Sequence, residues 1–239
     1  MKLIIVKDYE EASQKACEIM LEQVKGNPNS NLGLATGSTP IRLYELMRED
    51  HKVNGTSYKN IKTFNLDEYY GLAQSHPQSY HYFMCSNLFN ELDIDMNNVH
   101  VPKGQGSIEE ECAAYNKLLK ENVVDLQLLG IGSNGHIGFN EPGTSFTQET
   151  FIVKLAEKTR EDNKRFFNSI DEVPTHAITM GIKNIMNAKK ILMLISGASK
   201  ADTVVRLLSE EIDTDFPASV LHKHPDVTVI IDQEAYSKM

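Results

Sequence analysis

Nine short runs rich in β-branched and other apolar residues recur along the chain, and the stretches between them are amphipathic. They are Leu3–Val6, Leu32–Ala35, Ile61–Phe64, Val99–Pro102, Val124–Ile131, Phe151–Leu155, Ala177–Met180, Ile191–Ile195 and Val227–Ile231. Strands alternating with helix-length amphipathic segments predict βαβ units, a largely parallel sheet and an α/β fold with helices on both faces. The first helix has a start and a stop: Asp8 and Glu11 form a capping pair ahead of Ala12, Ala16, Ile19, Met20 and Val24, and Gly26 closes it. Ser107 and Glu110 repeat the signal before a second helix. No repeat, low-complexity tract or Pro/Gly/Ser linker divides residues 1–239, so one domain is expected.

The charge balance narrows the partners. A formal net charge of −9 argues against nucleic acid or an acidic membrane surface, so an anionic ligand must meet a local positive site. Cys17, Cys85 and Cys112 are odd in number and widely spaced, which indicates neither a disulfide framework nor a zinc site and suits a reducing cytoplasm. No segment approaches the roughly 20 apolar residues of a membrane span. His222 and His224 lack further clustered ligands, and no metal is expected.

Several segments carry candidate chemistry. After the run at 32–35, Thr36, Gly37, Ser38 and Thr39 form a hydroxyl-rich turn, with Pro40 suited to a first helical position. Unpaired N–H groups, the helix dipole and the hydroxyls could converge there on a phosphate; an ordinary N-capped turn is the alternative. Ser196-Gly-Ala-Ser-Lys200 repeats the design and adds a cation, which is either a phosphate contact or a solvated lysine. Arg165 could add a forked contact to the same phosphate. Asp67 and Glu68 follow a strand directly and should emerge at the carboxyl end of the sheet, as ligand-facing acids or as caps of a loop or helix. His76–His81 reads as the start of a helix or a mobile cover, with Tyr80 as a possible substrate contact.

The densest stretch is Gly130-Ile-Gly-Ser-Asn134-Gly-His136-Ile-Gly138-Phe-Asn-Glu141-Pro142. Its glycines satisfy GxGxxG, yet Gly138, Pro142 and Gly143 break the segment where a dinucleotide fingerprint needs a helix. What remains is a tight loop carrying His136, with Glu141 five residues on and able to fix the imidazole's tautomer.

Taken together and in order, Thr36–Pro40, Phe64–Tyr69, Gly130–Ile137 with Phe139–Pro142, Arg165–Phe167 and Ser196–Lys200 resemble the glucosamine/galactosamine-6-phosphate isomerase family over nearly the whole chain. The resemblance implies a Rossmann-like three-layer α/β fold, a small sugar-phosphate substrate and no organic cofactor. Its activity would convert glucosamine 6-phosphate and water to fructose 6-phosphate and ammonia. It also implies that Thr36, Gly37, Ser38 and Thr39 hold the phosphate with Arg165 and Lys200, and that Asp67 moves the proton during enolisation. His136, oriented by Glu141, would then open the sugar ring. Asn134 stands where many members have an acid, so an orienting role is expected of it. The chain ends at Met239, without the extension of longer, allosterically regulated members, which puts their hexameric assembly and their activation by N-acetylglucosamine 6-phosphate in doubt here. A monomer or small homo-oligomer is expected. The 6-phosphogluconolactonases share this logic, but Asn65-Leu-Asp-Glu-Tyr69 and Phe139-Asn-Glu-Pro142 favour the isomerase side. A catalytically silent sugar-phosphate sensor is a third reading, without a basic helix-turn-helix segment to support it.

Overall fold

The computed structural model describes residues 1–164, 167–209 and 211–239, apart from the side chains of Lys158, Asp162 and Asn163. Strands β1 (Lys2–Val6), β2 (Asn31–Leu34), β3 (Lys62–Asn65), β5 (Val99–His100), β6 (Leu126–Leu129), β9 (Ile191–Ile195) and β10 (Val227–Asp232) form one sheet. Its order is β1-β10-β9-β6-β2-β3-β5, and every pairing in it is parallel. Helices cover the faces, so central strands are buried on both sides and read as unbroken apolar runs, Ile191–Ile195 above all.

Helix α1 (Tyr9–Gly26) shows how local signals and packing agree. Asp8 Oδ1 accepts the Glu11 N–H at 3.0 Å, and Ala12, Ala16, Met20 and Val24 present one buried stripe at four-residue spacing. Full burial of a residue such as Met20 contributes about 1.5–3 kcal/mol, more than the cap does. Helix α2 (Ile41–Asn54) starts one residue later than expected, with Pro40 as its cap residue, and α4 (Ile108–Glu121) is capped by Ser107, whose Oγ accepts the Glu110 N–H.

A second sheet was not legible as such. Strand β4 (Asp67–Tyr69) pairs antiparallel with β8 (His176–Thr179), and β8 pairs antiparallel with β7 (Phe151–Lys154). Apolar runs at 151–155 and 177–180 announce strands but not their direction, and β4 has no run because two of its three residues are acids. A small core of Tyr69, Phe139, Leu155 and Ala177 packs against this sheet.

The topology places the functional end. From β2 the chain runs outward through β3 to β5, then returns to the other side of β2 as β6 and runs outward to β9 and β10. The order therefore reverses between β2 and β6, and the crevice beyond their carboxyl ends is where open α/β sheets bind ligands.

Candidate active site

The turn after β2 and the loop after β6 flank one cleft of about 660 Å³, lined also by residues from β4 and from the turn after β9. Thr36, Gly37, Ser38 and Thr39 all line it, at the start of α2. Their turn is braced from outside by Tyr9: its hydroxyl donates to the carbonyl oxygens of Thr39 (2.9 Å) and Ser38 (3.2 Å) and accepts the Arg42 N–H at 3.2 Å. Opposite, Ser196, Ser199 and Lys200 line the cleft ahead of α6 (Ala201–Leu208). Asp232, buried at the end of β10, fixes that turn by accepting from the Ser196 hydroxyl and the Gly197 N–H. Lys200 Nζ donates to the Ile131 carbonyl at 2.8 Å, tying the turn to the loop after β6. Hydroxyls from two helix starts and a lysine thus converge on one volume, which suits an anion.

The two adjacent acids of β4 part company. Successive strand residues point to opposite faces. Asp67 lines the cleft, while Glu68 turns away and accepts the N–H groups of Tyr69 (2.8 Å), Tyr80 (2.9 Å) and His81 (2.9 Å), tying β4 to the start of α3 (Tyr80–Asn87). Ser79 caps the same helix through the Tyr82 N–H at 3.0 Å. The segment at 76–81 is therefore the start of a helix, and it sets Tyr80 in the cleft wall against Tyr69 and Phe139. Burial, with the neighbouring Glu68 charge, pushes the Asp67 carboxyl up to about 8. Burial pushes Glu68 up as well, against the pull of its three N–H partners.

The loop after β6 is built around an imidazole. A Cβ on Gly132 would lie 2.2–2.4 Å from three atoms of the His136 ring, so only glycine lets the ring fold back over this backbone. Gly138, at φ 56, brings the far side of the loop onto β4: a Cβ there would sit 3.1 Å from Thr179 Oγ1 and 3.5 Å from Asp67 Oδ2. The Phe139 N–H donates to that Thr179 hydroxyl at 3.1 Å, and Thr179 is the cross-strand partner of Asp67. Histidine and aspartate reach the same cleft by this docking.

Behind the imidazole runs a chain of hydrogen bonds with a fixed direction. Thr159 donates to Glu141 Oε1 (2.7 Å), Asn134 Nδ2 donates to Glu141 Oε2 (2.8 Å), and Asn134 Oδ1 lies 2.7 Å from His136 Nδ1. A carboxylate only accepts, so the amide must turn its NH2 to Glu141 and its oxygen to the ring. Nδ1 of His136 must then carry the proton, which leaves Nε2 as the basic nitrogen of the neutral ring. Glu141 Oε2 is itself 3.7 Å from Nδ1, close enough to steady the imidazolium.

A sequence model of the family described as glucosamine-6-phosphate isomerases/6-phosphogluconolactonase matches residues 7–230. The chain belongs to this family. It is 54% identical over 239 residues to a glucosamine-6-phosphate deaminase of Geobacillus sp. (strain WCH70), covering 99% of this chain and 95% of that one. The solved structure of a monomeric glucosamine-6-phosphate deaminase of the NagB superfamily is 48% identical, superimposes with a TM-score of 0.98 and is covered in full, as is this chain. A 6-phosphogluconolactonase from Trypanosoma brucei shares the fold alone, at 20% identity and a TM-score of 0.81 over 100% of this chain and 98% of that one.

Within the family frame, Thr36, Gly37, Ser38, Thr39, Asp67, His136 and Lys200 line the cleft, with Asn134 and Glu141 behind His136. Arg165 lies outside the described residues. His222 and His224 go separate ways, bonding to the carbonyls of Leu207 (2.7 Å) and Ala188 (2.8 Å). Among the described residues no helix is long and apolar enough to cross a membrane. Tyr9, Thr159 and Asp232 support the site and went unnoticed in the sequence. Each acts across 18 or more positions, where no local period reports it.

Proposed function

We propose that this family member is a glucosamine-6-phosphate deaminase, converting glucosamine 6-phosphate and water to fructose 6-phosphate and ammonia in cytoplasmic amino-sugar catabolism. Residues 1–239 act as one catalytic unit, and the likeness to a monomeric relative supports action without a partner subunit. The observation that carries the reading is one cleft lined by an anion-suited turn, a buried carboxyl and a histidine of defined tautomer.

Substrate enters as a closed ring with its phosphate on the 36–39 turn and on Lys200, which positions the distant reacting carbons. Nε2 of His136 takes the anomeric hydroxyl proton and hands it to the ring oxygen as the ring opens; the transient imidazolium is steadied through Asn134 by Glu141. Asp67, as carboxylate, removes the proton from C2 and returns it to C1. A carboxyl near 8 is largely protonated at neutral pH, and the substrate's own C2 ammonium supplies the charge that draws it into its basic form. The enolamine tautomerises, water adds at C2 and ammonia departs. The steps balance without redox change, so they call on no cofactor.

Incubation of the purified protein with glucosamine 6-phosphate should release fructose 6-phosphate and ammonia in equal amounts. Hydrolysis of 6-phosphogluconolactone without ammonia release from the amino sugar would overturn the reading.

A further inference from the structure

Glu141 and Asn134 do not meet the cleft themselves; among the described residues, His136 is the one member of their hydrogen-bonded chain besides Thr159 that lines it. The direction of that chain depends on the carboxylate staying where it is. Its Oε2 serves Asn134, and its Oε1 receives the hydroxyl of Thr159, 18 residues further along the chain. Thr159 is 8% exposed and sits in the first turn of α5 (Glu157–Asn163). The next residue, Arg160, pins that helix by donating to the carbonyls of Ile170 (2.8 Å) and Val173 (3.0 Å). The hydroxyl is thus delivered by an anchored element that is separate from the glycine loop.

We propose that Thr159 is a positioning residue for ring opening, holding the Glu141 carboxylate in the one rotation that orients Asn134 and, through it, His136. A carboxylate that loses its donor at Oε1 turns to find another, since a part-buried acceptor left unpaired is costly. The Asn134 amide then has no fixed acceptor, and its two ends are nearly the same shape. A turned-over amide presents NH2 to Nδ1, stabilises the opposite tautomer and puts the proton on Nε2, which can no longer take one from the sugar. This inference rests on the proposed role of His136 and Glu141.

The test compares Thr159→Val, which keeps the shape and removes the hydroxyl, with Thr159→Ser, which keeps the hydroxyl, each in the wild-type and the Glu141→Gln backgrounds. In the wild-type background Thr159→Val should lower kcat about tenfold with KM within about twofold, the size of one lost hydrogen bond to a charged group, while Thr159→Ser keeps at least about half of kcat. In the Glu141→Gln background Thr159→Val should cost less than about twofold more, because the group it acts through has already been changed. Thermal melts establish folding, and Thr159→Ala takes the same place if the valine variant does not fold. Undiminished kcat in Thr159→Val, equal losses in both backgrounds, or failure of serine to rescue overturns the inference. Wild-type kcat in Glu141→Gln alone removes Glu141 from the mechanism and the inference with it, whereas an impaired Glu141→Gln beside an active Thr159→Val overturns only the role of Thr159.

Discussion

Asn134 Oδ1 accepts the Nδ1 proton of His136 at 2.7 Å, so an uncharged amide sets the tautomer of the ring. Replacing Asn134 by Leu keeps the volume and removes its hydrogen bonds to Glu141 and to the ring and backbone N–H of His136. We expect kcat to fall about ten- to a hundredfold with KM little changed, since substrate binding is not where the amide acts. Asn134→Asp is the subtler variant, because the new carboxylate would meet Glu141 at the present 2.8 Å contact. Two carboxylates that close share a proton. The variant should stay active, with the histidine limb of its kcat/KM profile moved upward. A limb that moved down would contradict the contact.

Gly132 is the residue over which the imidazole folds, with no room for even one carbon more. Gly132→Ala should therefore displace His136 while leaving the sheet intact. A kcat loss of roughly a hundredfold or more, beside a thermal midpoint within a few degrees of wild type, is the expected pair of results. Retained activity would mean that the ring need not lie against this backbone.

In its proposed role as base, Asp67 links catalysis to stability through one carboxyl. As a base it must be ionised, so kcat/KM should climb with pH toward about 8. Folding raises this carboxyl above its unfolded value, so the folded state binds the extra proton. Its contribution is fully present below about pH 4 and is lost as pH rises through about 8. Asp67→Asn should accordingly abolish solvent hydrogen exchange into fructose 6-phosphate yet melt higher than wild type, by a margin that widens between pH 5 and 9. Exchange at the wild-type rate would pass the role of base to another group. Glu68 is poorly placed for it, with both oxygens occupied by N–H groups.

Lys200 reaches across to the loop after β6 as well as lining the cleft. Lys200→Ala should raise KM for glucosamine 6-phosphate about ten- to a hundredfold, the usual cost of a lost charge-assisted hydrogen bond. An unchanged KM would take it out of the proposed phosphate site.

Much of this was readable in the residues themselves. The apolar runs located the parallel sheet because strands buried on both faces have to be apolar along their whole length. The loop at 130–141 declared itself through glycines that exclude a helix yet frame a histidine and an acid. Glu68 illustrates the limit. Side by side with Asp67 in the sequence, it differs in function only because the β4 pleat faces it toward α3, and a three-residue strand leaves no period to read. The tautomer of His136 was likewise beyond the sequence, since it depends on which end of an amide meets which neighbour.

The Tyr9 brace also keeps the turn at 36–39 in shape. The peptide bonds described here are trans, and in a planar trans peptide the carbonyl of one residue and the N–H of the next point in opposite directions. By holding the Ser38 carbonyl, Tyr9 therefore also aims the Thr39 N–H, away from itself. The direction of a donor in the proposed phosphate turn is in this way set by a side chain of the first helix that does not itself line the cleft. An alanine scan confined to the cleft wall would pass over it.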